Sequence, residues 1–190
     1  LPPWLVYLTR FTTLSLFRNH LPGSIPPWLG NLTWLTSLEL SDNLLTGSLP
    51  AEFGKLMYLT ILDLSSNHLN ESVPAEIGSL VNLIFLDLSN NSFTGVITEE
   101  HLANLTSLKQ IDLSLNNLKI VLNSDWRAPF KLDYAWFASC QMGPLFPAWL
   151  KWQVDLTYLD ISSAGITGRF PDWSLVPSQR SHTWISPITE

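Results

Sequence analysis

Apolar and polar positions follow one another along the chain in a frame that returns every 24 residues. At that offset IPPWLGNLTWLTSLEL (residues 25–40) lies over LPPWLVYLTRFTTLSL (residues 1–16). One register position recurs at Asn19, Asn43, Asn67, Asn91, Asn116, Cys140 and Ala164, spaced by 24 residues except for 25 between Asn91 and Asn116. Five and three residues before it stand the apolar pairs Leu14/Leu16, Leu38/Leu40, Leu62/Leu64, Leu86/Leu88, Ile111/Leu113, Ala135/Phe137 and Leu159/Ile161. Alternation at period two predicts a short strand in every repeat. After the register position come an apolar residue, then commonly Gly (Gly23, Gly47, Gly95, Gly168) and Pro (Pro26, Pro50, Pro74, Pro147, Pro171). Pro cannot donate to a ladder and Gly frees the backbone, so each coil is expected to turn there.

A single coil of this size cannot bury its own leucines, but stacked coils cover one another. The pattern therefore predicts an α/β solenoid, a curved right-handed array of about seven 24-residue coils. A parallel sheet is expected on the concave face and irregular or 3-10 segments on the convex face. Seven strands at about 4.8 Å make a slab about 30 Å long. The array is assigned to residues 1–172, starting in mid-repeat without an N-terminal cap. Residues 173–190 read as a divergent non-repeat tail, because Arg180, Thr183 and Ile185 stand where the three leucines before Ile188 would be. Uncapped arrays expose the apolar side of their last coil, so the chain reads as a piece of a longer array with poor stability by itself.

The unit LxxLxxLxLSxNxLxGxIPxx, nearly whole in LTSLELSDNLLTGSLPAEFGKL and LTILDLSSNHLNESVPAEIGSL, resembles the plant-type leucine-rich repeat. That repeat belongs to receptor-like kinases, receptor-like proteins and polygalacturonase inhibitors. The SDWRAPFKL segment resembles receptor-like proteins in particular. The resemblance implies a non-catalytic module of a plant cell-surface receptor for defence or development, at the extracellular face of the plasma membrane or in the cell wall space. It also implies a peptide or protein ligand on the concave face and a helper receptor kinase as a second partner. A secreted hydrolase inhibitor is the alternative, although the paired cap cysteines of that branch are missing. Ice binding needs a long Thr ladder, and the relevant column holds only Thr46, Thr94 and Thr167.

Composition narrows this further. Leucine supplies 36 of 190 residues, and a net charge of −6 argues against a nucleic-acid partner. Cys140 is alone, so no internal disulfide forms, and it fills an Asn slot as a buried, inert thiol. The four histidines lack metal-ligand spacing, and no catalytic motif or cofactor loop occurs, so neither metal, cofactor nor enzyme activity is expected. No run of about 18 apolar residues suggests a membrane segment; residues 135–150 come nearest but contain Pro144 and Pro147.

Within the frame, Asn19, Asn43, Asn67, Asn91 and Asn116 are expected to point inward and bond backbone groups of adjacent coils, whereas Ala164 cannot. In a parallel stack, outward residues one period apart form columns. The column four residues before the register is Ser15, Glu39, Asp63, Asp87, Asp112, Trp136 and Asp160. Its carboxylates either bond backbone at the strand ends or select a cationic group. The column six before includes Phe85, Tyr134 and Tyr158. Phe85, Tyr134, Trp136 and Tyr158, with Asp87, Asp112 and Asp160, are the candidate ligand-binding residues. The alternative for the rings is contact with a following coil. Of the sequons at Asn31, Asn70, Asn90 and Asn104, the first, second and fourth are candidate glycosylation sites; a glycan on Asn90 would obstruct the concave sheet. Trp4, Trp28 and Trp149 are expected to pack on the convex side. A convex bulge with helix tendency is expected at VITEEHLANL, where Thr98 replaces the turn Pro.

Overall fold

The computed structural model describes residues 1–169, Pro171 and the backbone of Thr183–Ile185. One short strand per coil joins an eight-stranded parallel sheet in strict chain order. We number these β1 (Thr13–Ser15), β2 (Ser37–Glu39), β3 (Ile61–Asp63), β4 (Phe85–Asp87), β5 (Gln110–Asp112), β6 (Tyr134–Trp136), β7 (Tyr158–Asp160) and β8 (Thr183–Ile185). The register is that of the repeat: Leu14 pairs with Leu38, Leu38 with Leu62, Leu62 with Leu86, and so on to Ala135 with Leu159. The central residue of each strand from β1 to β7 is buried. All of these central side chains join one apolar cluster that runs from Leu14 to Ala164.

β8 arises in the stretch that the leucine pattern set apart as a tail, pairing Tyr158 with Thr183 and Asp160 with Ile185. A ladder is made by backbone groups, so it extends where the leucine frame has faded. The rest of residues 173–190 lies outside the described residues. The segment that turns at Gly and Pro also carries strand pairing that the pattern did not predict. Pro22–Ser24, Leu44–Gly47, His68–Ser72 and Ser92–Thr94 form a second, four-stranded parallel ladder. Pro22 stands in its first strand, and Gly47 closes its own strand at φ +81, a left-handed conformation natural to glycine.

The convex side carries short 3-10 helices: Pro3–Tyr7, Pro27–Asn31, Ala51–Lys55, Ala75–Ser79, Glu99–His101 and Ala148–Trp152. Pro2, Pro26, Pro50, Pro74 and Pro147 stand extended immediately before five of them, since Pro stops a strand yet suits a helix entry. Before Glu99–His101, Thr98 takes that place through a reciprocal capping box with His101, whose Nε2 lies 3.1 Å from the Val73 carbonyl. The helix tendency read in this segment thus amounts to three residues. Gly30, Gly54 and Gly78 allow adjacent helices to touch, for a Cβ on Gly54 would meet the Glu76 carbonyl oxygen at 2.8 Å.

Buried and half-buried asparagines tie the coils together. Asn67 Nδ2 donates to the carbonyls of Leu40 (3.0 Å), Leu64 (3.1 Å) and Ser65 (3.1 Å), and its Oδ1 accepts the Leu45 N–H (3.0 Å). Asn43, Asn91 and Asn116 repeat this four-bond set. Asn19, in the first coil, departs from the expected inward position: it is exposed, and its side chain bonds only Leu16 and Phe17 of its own coil. Cys140 is buried in the same slot and donates its thiol to Leu113 O. Burial, with the charge of Asp112, pushes its pKa up to about 12.

Candidate functional site

The two outer residues of each concave strand flank a buried one, so their side chains stand on the open face of the sheet. There β6 and β7 bring three of the sequence candidates together. Tyr134 stacks on Trp136 with ring centroids 5.8 Å apart and planes 10° from parallel, and Trp136 meets Tyr158 at 5.2 Å. Tyr134 is 40% exposed, and the other two rings are half-buried. The rings therefore pack on one another while keeping an accessible surface. Phe85 does not join them: Gln110 on β5 stands between it and Tyr134 in register.

The aspartates all serve their own strand ends. Asp63, Asp87, Asp112 and Asp160 each accept through Oδ1 the N–H two residues ahead, at 2.8–3.0 Å. Such side-chain turns end the strand as it leaves the sheet. The arrangement still crowds negative charge. Burial chiefly, then the charges of Asp112 and Asp63, raises the Asp87 carboxyl to about 6 against the hydrogen bonds from Ser89. Asp112 is raised too, by burial first and by the charge of Asp160. None of the four aspartates enters an ion pair among the described residues, where the bridges are Arg18–Asp42, Lys109–Asp133 and Lys151–Asp125.

Other candidates lie off this face. Asn31, Asn70 and Asn104 are exposed, the first at the end of a convex helix and the second in the outer ladder. Asn90 sits at φ 51 and donates to Ser66 Oγ at 3.2 Å. Trp149 packs in the core edge-on against Trp126 and Phe137, and Trp28 is partly buried against the core. Trp4 departs from its expected packing, with 59% of its surface exposed. One feature escaped the column reading: Trp34 and Tyr58 stack at 5.6 Å and 7° on the rim, 57% and 54% exposed. They occupy the column nine residues before the register, and tracing that column as well would have revealed them.

No group of three or more His, Cys, Asp or Glu among the described residues is arranged to hold a metal ion. Among the same residues no helix is long and apolar enough to cross a membrane.

A leucine rich repeat model matches residues 33–93, and a second model of that repeat matches residues 10–32 and 82–105. The chain is 48% identical over 79 residues to receptor-like protein EIX2 of Solanum lycopersicum; the match covers 42% of this chain and 8% of that protein. The chain thus spans under a tenth of the curated relatives it matches. The plant peptide hormone receptor RGFR1, solved in complex with RGF2, superposes with a TM-score of 0.78 and 34% identity, over 84% of this chain and 25% of that one. The ectodomain of the Arabidopsis thaliana receptor kinase GASSHO1/SCHENGEN3, solved in complex with CASPARIAN STRIP INTEGRITY FACTOR 2, gives 0.73 and 31%, over 91% and 23%. With two models of one repeat tiling residues 10–105 and the coils superposing on those of plant receptor ectodomains, the chain belongs to the leucine-rich repeat family.

Proposed function

We propose that the chain is a non-catalytic recognition module from the ectodomain of a plant cell-surface receptor, docking a peptide or protein ligand on its concave face. The observation that carries this reading is the Tyr134, Trp136 and Tyr158 cluster on an open sheet face. Strands β1 and β2 carry Thr13, Ser15, Ser37 and Glu39 at the corresponding positions. Rigid rings bury much area at little conformational cost, which suits them to anchor a partner. Phe85, Asp87, Asp112 and Asp160 lie along the same face and extend the docking surface. The similar receptors solved with RGF2 and CASPARIAN STRIP INTEGRITY FACTOR 2 support a peptide ligand.

The module acts at the extracellular face of the plasma membrane, with a helper receptor kinase as its second partner. Glycans on Asn31, Asn70 and Asn104 would leave the concave face clear. The test is selection of a phage-displayed random peptide library on this protein, with every captured peptide re-measured on Tyr134→Ala/Trp136→Ala/Tyr158→Ala. We expect affinities to fall at least tenfold in the variant while its circular dichroism is unchanged. Peptides that bind both proteins equally would place recognition elsewhere and end this reading.

A further inference from the structure

The carboxylate column is interrupted once, at Trp136. Register pairs Asp112 with Trp136 and Trp136 with Asp160, so the indole has a carboxylate one strand away on each side. Tyr134 and Tyr158 complete the aromatic surface around it. Oδ1 of each aspartate is held by the N–H of Ser114 or Ser162, and Oδ2 accepts no hydrogen bond among the described residues. Lys109, on the neighbouring column, is engaged with Asp133 at 4.0 Å. The two carboxylates therefore face the open sheet without a counter-charge from the described part of the chain, and the charge of Asp160 helps raise the Asp112 carboxyl.

Charge complementarity selects among occupants. An acidic ligand meets like charge, on a chain whose net charge is −6. A neutral apolar side chain would strip water from two carboxylates without replacing it. A cation gains from both: the ring surface left open by the stacking attracts it, and the carboxylates lose their mutual repulsion. A guanidinium fits better than an ammonium, because it is flat enough to lie on the rings while its edge reaches the carboxylate oxygens.

The geometry points to recognition of a basic residue, arginine in preference to lysine, in an extended peptide ligand, its cation lying on the Tyr134–Trp136–Tyr158 cluster between Asp112 and Asp160. This inference rests on the docking role of the concave face. The probes are N-acetylarginine amide and its neutral isostere N-acetylcitrulline amide, titrated to millimolar concentration while the Trp136 indole N–H resonance is followed by NMR. We expect a saturable shift with the arginine compound, at least tenfold weaker with citrulline. Asp112→Asn/Asp160→Asn should weaken it by a similar factor, since the amide oxygens keep the turns to Ser114 and Ser162 and so preserve the fold.

Equal binding of citrulline, or full binding by the double Asn variant, would overturn the inference. The library selection separates the two readings. Captured peptides that depend on the three rings but show no enrichment in Arg or Lys would refute cation recognition while leaving concave docking in place. Peptides indifferent to the rings would remove both.

Discussion

Truncating one interior asparagine isolates what holds successive coils together. Asn67→Ala removes four hydrogen bonds, and they are not equivalent. Leu40 O keeps the Asn43 amide, Leu64 O keeps the Asn91 amide, and Ser65 O keeps the Asp42 N–H. The Leu45 N–H, whose residue is completely buried, loses the acceptor that Asn67 Oδ1 provides. An orphaned buried donor costs about 1–3 kcal/mol, and three weakened acceptors add about 0.5 kcal/mol each, so a loss of about 2.5–4.5 kcal/mol is expected. Asn19→Ala is the internal control: with a side chain that is exposed and bonded only within its own coil, it should lose less than about 1 kcal/mol. Because a repeat array is held by nearest-neighbour interfaces, the damage should concentrate between the second and third coils. Urea unfolding followed by circular dichroism supplies the energies, and hydrogen exchange at the Leu45 amide supplies the location. If Asn67→Ala falls within 1 kcal/mol of Asn19→Ala and Leu45 stays protected, the ladder is not what couples the coils.

Three further substitutions probe separate forces. Gly54→Ala places a methyl 2.8 Å from the Glu76 carbonyl oxygen and must widen the coil spacing; we expect a loss of about 2–3 kcal/mol in thermal unfolding. Gly23→Ala, where φ is +84 but nothing lies within 4 Å, should lose only about 1 kcal/mol. Asp87→Asn keeps the acceptor for Ser89 and removes a charge whose native pKa is raised from 3.8 to about 6. Between those values the native state holds a proton that the unfolded chain has released, so wild-type stability falls as pH rises through the window. The variant should match wild type below pH 4, gain stability from pH 4 to 6, and level off at a gain on the order of 1–2 kcal/mol after solvent screening. Parallel urea titrations at pH 3.5, 5 and 7 read this directly, and a gain independent of pH would contradict the burial of the charge.

The repeat frame was legible in the chain because a solenoid packs each coil against a near copy of itself. Every buried position therefore recurs at a fixed spacing, and a one-dimensional pattern suffices to find it. The strands, their order, the leucine columns and the interior asparagines follow from that recurrence, and the column arithmetic alone placed Tyr134, Trp136 and Tyr158 on one face. Where the pattern thins, the chain was silent. Three strands of the second ladder bury one recurring apolar residue each, Leu45, Leu69 and Phe93, too few for an alternation to show, and β8 continues a sheet whose leucine frame has lapsed. Asn19 shares its register with Asn43, yet Asn19 is exposed and Asn43 buried, because burial is set by what packs around a residue and not by its type. Only the packed structure decided that the aromatic rings stack on one another while Phe85 stands apart, and that the aspartates end their strands. Those outcomes depend on distances of a few ångströms between neighbouring coils, a quantity that periodicity does not contain.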